Sequence, residues 1–106
     1  RYATPKRFAE EMAKGAARSC PGATTSPVQT LQVYGRDAAR MRADCPNNPD
    51  TGQPEVFWIV LIAGERDIHA RQVAFRRIPN AKDAAWAEGI MAATRLCTQG
   101  LAAPGC

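Results

Sequence analysis

The chain has 106 residues, of which 45% are hydrophobic and 23% charged, and 14 lysines and arginines against 10 acidic residues give a net charge of +4. This length suits one domain and is too short for two, and no apolar run approaches the roughly 20 residues that a membrane span needs. We therefore predict one disulfide-stabilised domain over residues 1–106 with no transmembrane span.

A helix is the first predicted element, over Thr4–Arg18. Thr4 can cap it, and Pro5 suits the first helical position. Its apolar positions recur every four residues, at Phe8, Met12 and Ala16. This stripe predicts the face that packs on the rest of the domain.

The next two runs predict a first hairpin. Val28–Tyr34 is rich in β-branched and aromatic residues, and Gly35–Asp37 forms a turn. Residues 38–44 then alternate small or apolar side chains with Arg40, Arg42 and Asp44, as a half-exposed strand does. A short helix capped by Asp37 remains the alternative, because alanine, arginine and methionine also favour helices.

A second hairpin follows an irregular surface loop, Cys45–Pro54, which is dense in Pro, Asn, Asp and Gly. Glu55–Ala63 is apolar on both faces, which predicts a central strand with helices over one face and the other face partly shielded. The chain turns at Gly64–Asp67 and returns as Ile68–Ile78, where the apolar phase slips and predicts a bulge near Arg71 and Gln72.

The last predicted element is a helix that begins after Pro79 and Asn80 and stops at Gly100. Asn80 can cap this helix and Asp83 completes a capping box. The predicted packing face consists of Trp86, Ile90, Ala93 and Cys97. The whole order predicts an α+β fold with an N-terminal helix, a four-stranded antiparallel sheet built of two hairpins, and a C-terminal helix packed on the sheet.

Four cysteines, Cys20, Cys45, Cys97 and Cys106, stand at wide and irregular spacings. Such an even set predicts a disulfide framework, and it lacks the close pairs of a zinc site, so no metal is expected. The predicted topology favours Cys20–Cys45 and Cys97–Cys106, with the crossed pairings left open. Disulfides predict a periplasmic or secreted protein, and the many arginines and alanines indicate a high-GC bacterial genome.

No motif for catalysis or for cofactor binding occurs in the chain. His69 is the only imidazole, and there is no nucleophile elbow, phosphate-binding loop, dinucleotide fingerprint or haem attachment motif. We therefore expect neither an enzyme nor a bound cofactor. The chain begins with Arg1 rather than Met, which is compatible with a mature form whose export signal or anchor has been removed.

The remaining function classes are binding functions. We predict an exported bacterial protein that binds another envelope or secreted protein, such as an inhibitor, a toxin-immunity protein or an accessory subunit of a secretion or conjugation system. The expected surface combines the loop with an arginine-rich hairpin: Asn47, Asn48, Asp50, Gln53, Arg66, Arg71, Arg76 and Arg77. Interleaved acidic residues argue against nucleic acid.

The alternative function is a small-ligand carrier or a minor enzyme. Its pocket would lie between a helix and the sheet, with Trp58, Tyr34 and Phe75 among the walls.

Overall fold

The computed structural model describes residues 3–97. Its elements are, in chain order, α1 (Pro5–Ser19), β1 (Thr24–Thr25), β2 (Gln29–Val33), β3 (Arg36–Asn48), β4 (Gln53–Ala63), β5 (Ile68–Phe75) and α2 (Ala81–Ala93). All strands belong to one antiparallel sheet in the order β1-β3-β4-β5, and β2 also pairs with β3. The predicted α+β class and element order are confirmed, and the two-residue β1 brings the sheet to five strands.

Strand β4 lies at the centre of the core, and its two faces are covered by different helices. Val56, Trp58 and Val60 point to the face that carries α2, whereas Ile59 and Leu61 point to the face that carries α1. The prediction that helices cover only one face was wrong. A strand that is apolar on both sides needs a cover on each, and here each helix supplies one.

Helix α1 begins as predicted and packs through small residues. The Thr4 hydroxyl accepts a hydrogen bond from the Arg7 N–H at 3.1 Å. Ala9 is fully buried, and Met12, Ala13 and Ala16 pack around it. Phe8 is 44% exposed, so its assignment to the packing face was wrong, because the short alanine side chains let the other flank of the helix approach the sheet.

Helix α2 has the predicted capping box, in which Asn80 accepts from the Asp83 N–H and Asp83 accepts from the Asn80 N–H. It packs on the sheet through Ala87 and Met91, while Trp86 is 58% exposed. The predicted face was therefore wrong at Trp86. Neither helix within residues 3–97 is long and apolar enough to cross a membrane.

Helix α2 ends at Ala93, earlier than predicted. Thr94 leaves the helical conformation (φ −71°, ψ 133°), and its hydroxyl donates to the Ile90 carbonyl at 2.6 Å. This side-chain bond satisfies a carbonyl that a further helical turn would have used. Cys97 consequently does not lie on the helix, and the predicted stop at Gly100 lies outside the described residues.

Residues 38–44 are strand, as the alternating pattern predicted, and not helix. They follow a two-residue turn at Tyr34 and Gly35, both of which have positive φ (46° and 80°). Positive φ at both central positions matches the twist of a tight hairpin. The turn is therefore shorter and earlier than the predicted Gly35–Asp37.

The predicted irregular loop Cys45–Pro54 is mostly strand. Strand β3 continues to Asn48 and β4 begins at Gln53, which leaves a four-residue turn. The register shifts between Cys45 and Asn48, and Pro46 lies within that irregularity. A proline is tolerated at a bulge because no ladder hydrogen bond is required there, so turn-like composition misled the prediction.

The two edges of the sheet differ in regularity. On one edge, Thr25 pairs with Ala43 and Gln29 pairs with Arg40. The three residues Ser26–Val28 therefore lie opposite only two residues of β3, and the extra residue makes a bulge that includes Pro27. On the other edge, β5 pairs with β4 in constant register from Ile68 to Phe75. The predicted bulge near Arg71 and Gln72 was therefore wrong.

The predicted disulfide between Cys20 and Cys45 is present, with the two Cα atoms 5.9 Å apart. It ties the end of α1 to β3 on the face that α1 covers. The second predicted pair involves Cys106, which lies outside the described residues, so Cys97–Cys106 stays a prediction.

Candidate functional site

The eight residues of the predicted binding surface do not form one surface. Four of them lie at the β3–β4 end of the sheet: Asn47, Asn48, Asp50 and Gln53. Arg76 and Arg77 follow β5 at this same end, because Phe75 pairs with Val56. Arg71 lies within β5, and Arg66 lies in the turn at the other end of β4, about 30 Å away along the strand.

Asn48 organises the β3–β4 turn. Its side-chain oxygen accepts from the Asp50 N–H at 2.9 Å, and its carbonyl accepts from the Thr51 and Gly52 N–H groups at 3.2 and 2.7 Å. Its side-chain amide donates to Glu55 at 3.2 Å. Asn48 therefore holds the turn together, and Asn47, Asp50 and Gln53 are the predicted residues of this segment that are exposed to a partner.

The arginines at the end of β5 have different surroundings. Arg77 forms an ion pair with Asp83, and its guanidinium lies 5.0 Å from the centre of the Phe75 ring. Neither Arg71 nor Arg76 takes part in an ion pair between described residues. Two exposed positive charges are thus left uncompensated along this edge.

The ion pair with Arg77, together with the capping bond to the Asn80 N–H, lowers the pKa of Asp83 below its ordinary value of 3.8. A carboxyl group whose pKa is lowered by folding stabilises the fold at pH values above its ordinary pKa. This stabilisation is lost as the pH falls through the lowered pKa. We expect Asp83→Asn to lower the melting temperature at neutral pH, and the difference from wild type to shrink in acid. Thermal melts followed by circular dichroism at neutral and at acidic pH check this. A difference in melting temperature that is equally large at acidic pH would contradict the prediction.

Exposed apolar side chains gather where β5 joins α2, and sequence analysis missed them. We call this surface the β5–α2 corner and define it by Phe75, Arg77, Ile78 and Trp86. Trp86 is 58% exposed and Ile78 77% exposed. The Trp86 ring stands edge-on to Phe75 at 6.4 Å, and Phe75 stands edge-on to buried Trp58 at 5.9 Å.

One signal in the sequence could have placed Trp86 outside. Ala84, Ala87 and Met91 recur at spacings of three and four residues, which is a complete packing stripe one step removed from the tryptophan. Because these three residues form the packing face, the neighbouring tryptophan lies at the edge of that face.

The arginines of β3 are engaged within the protein. Arg42 forms two hydrogen bonds to Asp44, at 2.7 and 2.8 Å, which raise the pKa of Arg42 above its ordinary value. Its guanidinium also lies 4.5 Å from the centre of the Trp58 ring. Arg40 forms an ion pair with Glu88, and Glu88 also accepts from the Trp58 indole N–H at 3.1 Å. Arg40 and Trp58 attach α2 to the sheet through Glu88, and Arg42 is engaged with Asp44.

Several hollows bear on the alternative of a small-ligand pocket. The cavity under the end of α1 has a volume of about 230 Å³ and is bounded by Met12, Phe57 and the disulfide, whereas ligand pockets usually span about 300–1,000 Å³. Two larger hollows, of about 500 and 540 Å³, lie beside the start of α1 and at the β4–β5 turn. No aromatic side chain is among the described residues that line these two hollows, and a further hollow of about 340 Å³ along α1 includes Phe8 but none of the three predicted wall residues.

The predicted walls of that pocket do not face a common space. Trp58 is buried, and Tyr34 is 62% exposed in the β2–β3 turn. Phe75 packs between Trp58 and Trp86.

His69, the only imidazole of the sequence, is exposed on β5.

Scans against protein-family models, curated proteins and solved structures found no match for this chain. Within residues 3–97, no three His, Cys, Asp or Glu side chains are grouped to hold a metal ion.

Proposed function

We propose that this chain is a small exported bacterial protein that acts by binding another protein through the β5–α2 corner. The observation that carries the proposal is the exposure of Trp86 and Ile78 at one corner of the fold. Large apolar side chains that are exposed next to one another often mark a protein–protein interaction site. The proposal is compatible with an inhibitor, a toxin-immunity protein or an accessory subunit of an envelope system.

The side chains of the corner are of the kinds that dominate binding energy. Tryptophan and arginine are enriched among the residues whose truncation weakens an interface most. Trp86 is supported from below by Phe75 at 6.4 Å, and Arg77 is held over the same ring. A supported aromatic loses little conformational freedom on binding, which favours its use as an anchor.

The proposed compartment is the periplasm or the extracellular space. An intramolecular disulfide joins Cys20 and Cys45, and such bonds persist in oxidising compartments. Small domains bury little surface, and disulfides often stabilise those that work outside the reducing cytoplasm.

The test is capture of a partner from envelope and secreted fractions of the source organism, with the oxidised protein as bait. We expect one stoichiometric partner that survives high salt, and a loss of about 30-fold in affinity for Trp86→Ala, which corresponds to an anchor of about 2 kcal/mol. Affinity is measured by calorimetry with the purified partner.

Phe8→Ala is the matched control, because Phe8 is also an exposed aromatic but lies on α1, on the opposite side of the sheet. It should bind the partner as wild type does. Equal affinity of Trp86→Ala and wild type would contradict the proposal, provided that both variants melt cooperatively.

A further inference from the structure

Strand β5 forms an unbroken free edge of the sheet. It pairs with β4 on one side, and no strand within residues 3–97 pairs with its other side. The strand contains neither proline nor glycine. An edge of this kind presents unpaired N–H and C=O groups that can bond to an added strand.

The backbone groups that point outward from β5 follow from the ladder. The Gly64 N–H donates to the Asp67 carbonyl at 2.7 Å, so these residues form a hydrogen-bonded pair beside the Ala63–Ile68 pair. Bonded and non-bonded pairs alternate in an antiparallel ladder. The residues bonded to β4 are therefore His69, Arg71, Val73 and Phe75, and the outward N–H and C=O groups belong to Ala70, Gln72 and Ala74.

The opposite side of the sheet gives the same alternation. The Ser26 N–H donates to the Arg42 carbonyl at 2.8 Å, so the even-numbered residues of β3 bond away from β4. The odd-numbered residues of β3 and β4 then bond to each other, and even-numbered β4 residues bond to β5. Trp58 consequently bonds to its partner Val73, in agreement with the assignment made from Gly64.

The charges along this edge select the partner. Strand β5 contains Arg71 and no acidic residue, and Arg76 follows it. Neither arginine forms an ion pair with a described residue. If two copies of this strand paired antiparallel about Gln72, the two Arg71 side chains would lie diagonally across the new ladder, within reach of each other, and their like charges would oppose the pairing.

We infer that the free edge of β5 binds an extended acidic segment of the partner protein, which adds to the sheet as a further strand. This inference rests on the proposed function and names the chemistry of the partner. On the face that carries α2, Arg71 and Phe75 lie four residues apart, and Trp86 stands against Phe75. The segment therefore carries a carboxylate opposite Arg71 and an apolar side chain four residues away, opposite Phe75 and beside Trp86.

The first experiment uses two synthetic peptides of about ten residues, the length of a typical strand. In the acidic peptide, Thr alternates with Glu, and one Ile replaces a Glu four residues from the central one. The control peptide has Lys at every Glu position. With the acidic peptide we expect the amides of Ala70, Gln72 and Ala74 to become protected from hydrogen exchange, as read by NMR.

The amides of Arg71 and Val73 provide the internal reference, because they are bonded to β4 before any peptide is added. Protection by both peptides would overturn the charge selection. Protection by neither peptide at the highest soluble concentration would overturn the inference itself.

Two variants separate the contribution of backbone hydrogen bonds to peptide binding from the contribution of side-chain charge. Gln72→Pro removes an outward N–H and leaves the β4–β5 ladder intact, since proline is tolerated on an edge strand. We expect it to weaken binding of the acidic peptide about tenfold. Arg71→Glu keeps every backbone group and should reverse the preference, so that the lysine peptide binds better; an unchanged preference would overturn the inference even if Gln72→Pro failed to fold.

Failure of this inference and failure of the proposed function give different results. If Trp86→Ala loses the captured partner while Gln72→Pro and Arg71→Glu retain it, the corner binds a partner without strand addition. If all three variants retain the partner, the proposed function fails as well.

Discussion

Replacing Trp58 by alanine is expected to lower the free energy of unfolding by about 3–5 kcal/mol, the range for deletion of a buried aromatic side chain. Trp58 is 1% exposed and is the largest side chain of the core cluster under α2. Its ring contacts Phe75 edge-on, and its indole N–H donates to Glu88. The deletion leaves a cavity at the centre of the sheet and removes one attachment of α2.

Urea denaturation followed by circular dichroism measures this loss. Trp58→Phe is the graded control, because it keeps an aromatic ring in the core and removes the bond to Glu88 together with part of the buried volume, so we expect a smaller loss. Trp86→Ala should cost far less than Trp58→Ala, since the Trp86 side chain is mostly in water. Equal losses for the two alanine variants would mean that α2 packs differently.

Removing the Cys20–Cys45 disulfide by the double change Cys20→Ala and Cys45→Ala is expected to cost about 3.5 kcal/mol. The two cysteines are 25 residues apart in sequence, and the figure follows from the loop-closure entropy of the unfolded chain. Small domains are stable by only about 5–15 kcal/mol, so this is a large share.

The measurement is the denaturation midpoint of the double variant against wild type, both without reductant. The double variant is preferable to chemical reduction because it leaves Cys97 and Cys106 unchanged. A midpoint equal to that of wild type would show that the end of α1 is held to β3 by packing alone.

The parts of the fold that the sequence predicted are those fixed by short-range rules. Thr4 and Asn80 cap their helices because their side chains reach N–H groups three residues ahead. The alternation around Arg40 and Arg42 identifies a strand because period two separates its faces. Cys20 and Cys45 could be paired in advance because antiparallel neighbours bring the end of α1 to the end of β3.

The parts that were mispredicted depend on how elements meet. Phe8 and Trp86 were predicted to pack because they are large and apolar. In the structure the buried alanines of each helix contact the sheet instead, and both aromatics lie outside the packing face. The stretch from Cys45 to Pro54 has turn composition, but pairing with the opposite strand extends it on both sides of a short turn.

The proposed binding surface was predictable only in part. Arg76, Arg77 and the β3–β4 turn do share one end of the sheet, which follows from strand register. The stripe of Ala84, Ala87 and Met91 indicates that Trp86 lies beside the packing face, whereas no pattern in the sequence predicts the exposure of Ile78.

The interruption at Pro27 on the far edge has a consequence for how these molecules assemble. Head-to-tail stacking, in which the β5 edge of one molecule meets the β1–β2 edge of the next, is a heterologous contact that would repeat without limit and build a filament. Pro27 has no N–H to offer, and the bulge around it bends the strand away from a straight neighbour. A sheet with one regular edge and one blunted edge accepts a single added strand and then stops growing.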